Sequence, residues 1–91
     1  MNEPALDLAI IIALMSSYKD RPVDPKMLIF GEVGLSGEVR AVSQASQRVN
    51  EAAKLGFTTC VLPKVCADKM KQVEGIRLIG VSNVREAIGI I

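Results

Sequence analysis

Covalent catalysis in this chain would have to start from serine, cysteine or lysine, because its 91 residues include no histidine. Ser-His-Asp and Cys-His triads are thereby excluded, and the remaining scheme is a serine activated by a desolvated lysine. Ser36, Ser43 and Ser46 lie within or just after a glycine-rich stretch, whereas Lys54 falls at the far end of the helix expected after them. Turn-making and helix capping account for these serines. The carboxylates Asp7, Glu32, Glu38 and Glu51 are scattered and form no acid–base couple by spacing. Cys60 sits in an apolar run and Cys66 opens a short amphipathic segment, so both are expected as reduced thiols. Two cysteines without histidine fall short of a structural zinc set.

Nucleotide chemistry is equally poorly supported. No Gly-rich turn ends in Gly-Lys-Ser/Thr, and Gly31, Gly34 and Gly37 recur every third residue, which is not the dinucleotide spacing. Those glycines lead into a strand and not a helix. The basic residues Arg40, Arg48, Lys54, Lys64, Lys69 and Lys71 alternate with acids and are not interleaved with aromatics, the pattern of a solvated face.

The elements that must position these groups follow from periodicity. Met27–Val33 and Glu38–Val42 are expected as two hairpin strands around Gly34-Leu35-Ser36-Gly37. Before them, Pro4 suits the first turn of a helix, with Asn2 or Glu3 at the cap, and Ala5 to about Tyr18 is helical in character. That helix is apolar around nearly its whole circumference, which predicts burial in a core or a subunit interface. Lys19 to Pro25 then forms an exposed connection. Ser43 is expected to cap a second helix that buries Val49, Ala52, Ala53 and Leu55, turns Arg48, Glu51 and Lys54 outward, and stops at Gly56. A strand over Phe57–Leu62, a helix over Val65–Val73, a strand over Ile76–Val81 and a helix over Val84–Ile91 complete the chain, Ser82 or Asn83 capping the last. The hairpin followed by alternating helices and strands predicts an α/β or α+β fold with a mixed sheet, its parallel strands joined by right-handed crossovers.

One domain is the most that this length allows. Charge is balanced at +1, which announces neither nucleic acid nor an acidic substrate, while 49% of residues are apolar. That fraction predicts apolar surface covered by other protein. Leu8–Met15 is too short to span a bilayer, and Glu3 and Asp7 stand where a signal peptide would be basic. The expectation is a cytoplasmic protein with no membrane contact.

The run Phe30-Gly-Glu-Val-Gly-Leu-Ser-Gly-Glu-Val-Arg40, the segment Glu51-Ala-Ala-Lys-Leu-Gly-Phe57 and Val61-Leu-Pro-Lys64 resemble the C-terminal domain of the RadA (Sms) family of bacterial DNA-repair proteins. Glu3-Pro-Ala-Leu-Asp-Leu-Ala9, Lys19-Asp-Arg-Pro22 and Ile79-Gly-Val-Ser-Asn-Val-Arg-Glu-Ala87 fit the same family, so the resemblance spans essentially residues 1–91. That domain is similar to the proteolytic domain of Lon proteases, whose fold resembles domain 2 of ribosomal protein S5. The resemblance implies that the Lon nucleophile position, after a Gly-Pro pair, falls on Ala5, and that the Lon lysine position falls on Ser46. Both halves of a serine–lysine dyad are then missing, and the implied role is a non-catalytic scaffold, with a Lon-type serine peptidase as the alternative. The family further implies branch migration in recombinational repair by a self-associating, usually hexameric, ring. Its ATP site and its zinc belong to domains outside this chain, which itself needs no cofactor. Earlier strands of the Lon-like domain are likewise expected outside it. Arg40, Arg48 and Lys64 are the candidates for weak contact with DNA.

Overall fold

The computed structural model describes residues 3–91. A 3-10 turn at Pro4–Leu6 leads into α1 (Asp7–Lys19), followed by β1 (Met27–Ile29), β2 (Glu32–Val33), β3 (Val39–Arg40) and α2 (Ala45–Lys54). Then come β4 (Thr59–Pro63), α3 (Lys64–Ala67), β5 (Arg77–Val81) and α4 (Val84–Ile88). Three parallel strands form the main sheet in the order β1-β4-β5, and β2 and β3 form a separate antiparallel pair. The chain is therefore mixed α/β, with the helix–strand alternation that its periodicity predicts, but the expected mixed sheet is split: the hairpin pairs apart from the parallel strands because the backbone turns to Ala5 at Gly31.

Consecutive right-handed crossovers that advance in one direction put their helices on one face of the sheet. Val49 and Ala52 of α2 and Cys66 of α3 accordingly share one buried cluster with Phe30, Cys60 and Leu62. On the other face Leu8 and Ile12 of α1 and Ala87 of α4 pack with Val39, Val61 and Val81. β4 is covered on both sides, so its Cys60-Val61-Leu62 run is apolar without alternation.

The strand expected over Met27–Val33 is divided. The Phe30 N–H still donates to the Val61 carbonyl at 3.0 Å, but the Gly31 N–H turns to the Ala5 carbonyl at 2.8 Å. The Gly31 carbonyl in turn accepts the Leu8 N–H at 3.0 Å, so the backbone leaves the parallel sheet here and starts the hairpin. A β-carbon on Gly31 would lie 3.0 Å from Val39 Cγ1 and 3.3 Å from Leu8 Cδ2, which is why the crossing point carries none. At the hairpin tip Gly37 adopts φ 81° and its N–H donates to the Gly34 carbonyl at 3.0 Å, as the glycine spacing predicts.

Other boundaries shift by physical causes that the apolar pattern does not carry. The expected helix over Val65–Val73 ends at Ala67, because the Lys69 and Met70 N–H groups bond carbonyls three residues back and tighten the chain out of the α-helix. The last helix ends at Ile88, and Ile90 and Ile91 pack against the α1 face instead of continuing it. The fourth strand begins at Thr59, two residues later than expected. Ser43 does not cap α2: Gln44 takes the cap position at φ 58°, so Ser43 stands one residue too early. Leu55, expected inside, is exposed, while Gly56 terminates the helix as expected at φ 96°. Asn2 lies outside the described residues.

Asn83 does cap α4, accepting the Glu86 N–H at 2.9 Å while the Glu86 carboxylate accepts the Ser82 N–H at 2.6 Å. Asn83→Ala is expected to lower stability by about 1 kcal/mol, read as a shifted midpoint in urea unfolding with an unchanged slope.

α1 is only half buried. Leu8 and Ile12 are in the core, but Leu6, Ile10, Leu14 and Tyr18, spaced every fourth residue, form an exposed stripe on the opposite face. Leu14 is 66% and Tyr18 86% exposed. The apolar circumference thus divides into a core face and a solvent face.

Candidate functional site

Ala5 is placed by the 3-10 turn that Pro4 starts, and its carbonyl is pinned by the Gly31 N–H. The residue is 3% exposed and forms part of the wall of a small cleft of about 180 Å³. Glu3, Glu32, Val42, Ser43 and Arg48 line the same cleft, brought there by the N-terminal turn, the hairpin and α2.

The group from α2 that reaches this cleft is Arg48, not Ser46. The Arg48 guanidinium donates to Glu3 Oε1 at 3.1 Å and to the Ser43 carbonyl at 3.2 Å, and lies 5.9 Å from the centre of the Phe30 ring. Arg48 is thus held on three sides, where helical spacing alone turns it outward. Its position next to Val49 on the flank of the buried stripe is the available signal, since a long side chain can fold back over apolar surface. Ser46 instead lines shallow clefts between α2 and the segment after α3, with Lys69 and Met70.

Neither Ala5 nor Arg48 offers a group for serine–lysine chemistry at this cleft. A methyl group at position 5 cannot attack a carbonyl, and a guanidinium has no lone pair to accept a proton near neutral pH. Replacing Ala5 with serine would add a hydroxyl to a cleft lined by no lysine or histidine, so the Ala5→Ser chain is expected to stay unreactive toward a fluorophosphonate, as read by intact mass.

Of the other basic candidates, Arg40 is bound to Glu38 at 2.9 Å. Glu38 also accepts the Ser36 N–H at 3.1 Å. Hydrogen bonds from its own backbone N–H and from the Arg40 guanidinium hold the Glu38 carboxyl below the usual carboxylate range. Lys64 is exposed at the start of α3 and makes no ion pair among the described residues. The structure therefore places Arg40, Arg48 and Lys64 on three different elements, two of them already paired with carboxylates.

Both cysteines are free and buried. Cys60 lies in the central strand with no exposure, and burial pushes its thiol up to about 12 from an ordinary 9.0. A raised folded-state value means that the neutral thiol stabilises the fold below the ordinary value and that this contribution is lost as pH rises from about 9 toward 12. Urea unfolding at pH 8 and above pH 10 is expected to show that alkaline loss, and Cys60→Ala, though less stable throughout, to show less of it. No group of three or more Cys, Asp or Glu among the described residues is arranged to hold a metal ion, and none of their helices is long and apolar enough to cross a membrane.

A family model described as "Subunit ChlI of Mg-chelatase" matches residues 2–66. The chain belongs to that family. The ChlI match takes in the Ala5 turn, the hairpin and the whole of α2, so every residue of the Ala5 cleft lies within it. β5 and α4 fall beyond it. Across its full length the chain is also similar to proteins named DNA repair protein RadA. It is 51% identical over 88 residues to that of Bacillus subtilis, covering 97% of this chain and 19% of the relative. For Streptococcus pneumoniae the identity is 46%, over 97% and 21%, and for Synechocystis 49%, over 99% and 17%. The chain thus spans about a fifth of the length of these relatives. The expected resemblance to the RadA family is met by these matches, whereas the ChlI description was not reached from the residues.

Proposed function

We propose that the chain is the catalytically inactive, Lon-like C-terminal scaffold domain of a RadA-type DNA-repair ATPase, with the fold of ribosomal protein S5 domain 2. The observation that carries this reading is the Ala5 cleft: its nucleophile position is a buried methyl group, and the side chain facing it from α2 is an arginine already tied to Glu3. The kinship to DNA repair proteins supplies the biological setting. In that setting the domain helps to assemble a ring in recombination and branch migration, while ATP and zinc are bound by other parts of the protein. The solvent face of α1 suits such packing, because a stripe of four large apolar side chains is more than scattered surface residues require.

The scaffold role is tested by sedimentation of the full-length repair protein carrying Ile10→Asp and Leu14→Asp. These positions are exposed, so folding is expected to survive and assembly to weaken at unchanged ATP affinity. An assembly that forms as before would contradict the role given to α1. Contact with DNA through Arg40, Arg48 and Lys64 is secondary. It is expected to be sequence-independent and to fall steeply with salt, and joint replacement of the three by glutamate should abolish it in a filter-binding assay.

A further inference from the structure

β5 is the terminal strand of the parallel sheet, and its outer side is open. In a parallel ladder each residue directs its N–H and C=O to one side, and its neighbours direct theirs to the other. The Arg77 N–H donates to the Thr58 carbonyl at 2.9 Å, so Arg77, Ile79 and Val81 face β4. Leu78 and Gly80 consequently present their N–H and C=O groups outward, with no backbone partner among the described residues. Neither a proline nor a bulge blunts the edge: Arg77–Val81 has no proline, and its register with β4 runs unbroken over five pairs.

Beside this edge runs an open groove of about 470 Å³, with Ala67, Met70, Leu78 and Gly80 as its less polar floor. Lys64 and Arg77 line it against one carboxylate, Asp68, and neither cation makes an ion pair among the described residues.

We propose that an extended acidic peptide binds here, adding a strand to β5 and placing its carboxylates on Lys64 and Arg77. The alternating row of donors and acceptors at Leu78 and Gly80 has the spacing of a peptide backbone, and the groove's excess positive charge selects an acidic one. A second copy of this chain would set Lys64 and Arg77 against a groove of the same charge. Duplex DNA could use the cations but not the backbone row. This proposal does not depend on the scaffold reading, since it involves neither the Ala5 cleft nor α1.

The test is a titration of the 15N-labelled protein with a capped hexapeptide of alternating glutamate and valine. The amides of Leu78 and Gly80 are expected to shift most and to exchange more slowly with solvent. Lys64→Gln and Arg77→Gln, both at exposed positions, should each weaken binding roughly threefold. A peptide methylated on alternate backbone nitrogens should not bind. Equal binding of that methylated peptide would overturn strand addition. So would shifts of the same amides that grow with protein concentration alone, or that appear with duplex DNA and not with the peptide.

Discussion

Leu8→Ala is expected to be the most damaging single truncation, lowering stability by about 3–5 kcal/mol. Leu8 is fully buried, and its side chain lies against the Gly31–Val39 crossing where α1, the hairpin and the parallel sheet meet. The position is also fixed by the backbone bond from its N–H to the Gly31 carbonyl, so the surroundings have little freedom to collapse into the void. A domain of this size has roughly 5–15 kcal/mol in total, and the loss is therefore a large part of the margin. Urea unfolding followed by circular dichroism gives the value directly. A change below about 0.5 kcal/mol, the range of surface substitutions, would show that α1 is not anchored as described.

Gly80→Val is the second large effect, expected at about 3 kcal/mol, with Gly80→Ala smaller but of the same sign. A β-carbon at Gly80 would stand 3.0 Å from the Lys64 Cα and 3.2 Å from the Ala67 Cβ, so α3 itself would have to move off β5. Backbone cannot yield as a side-chain end can. Gly34 supplies the contrast, because the group that its β-carbon would meet is the Glu38 carboxylate, the far end of a flexible side chain. Gly34→Ala should displace that carboxylate from Arg40 and be cheap, since the pair is solvent-exposed. Thermal unfolding of the three variants side by side checks the ranking. If Gly34→Ala proved as harmful as Gly80→Val, the close packing of α3 on β5 would be wrong.

These two positions illustrate what the chain discloses before its fold is known. The order of elements is legible because the apolar spacing changes at each glycine or proline stop: Gly37, Gly56 and Gly75 all adopt positive φ in the turns. The two-sided burial of β4 is likewise visible in its unbroken apolar run. The break at Phe30–Gly31 is not, since it depends on bonds to Ala5 and Leu8, which are distant in sequence. Leu55 is apolar yet exposed, because the α2 helix closes at that residue and the chain turns away at Gly56.

Ala5 is singled out by the family resemblance, through Pro4, and not by composition or spacing. That Arg48 and not Ser46 would meet it depends on how α2 is rotated, and on the ties to Glu3 and the Ser43 carbonyl. Long side chains obey such local partners more than helical periodicity.

Intact-mass analysis of the chain after prolonged exposure to a fluorophosphonate, in parallel with unstructured peptides as substrate, asks most directly whether the cleft is chemically silent. An unchanged mass and uncut peptides are the predicted result. A phosphonyl adduct on any serine, accompanied by peptide cleavage, would contradict it and leave the chain a peptidase.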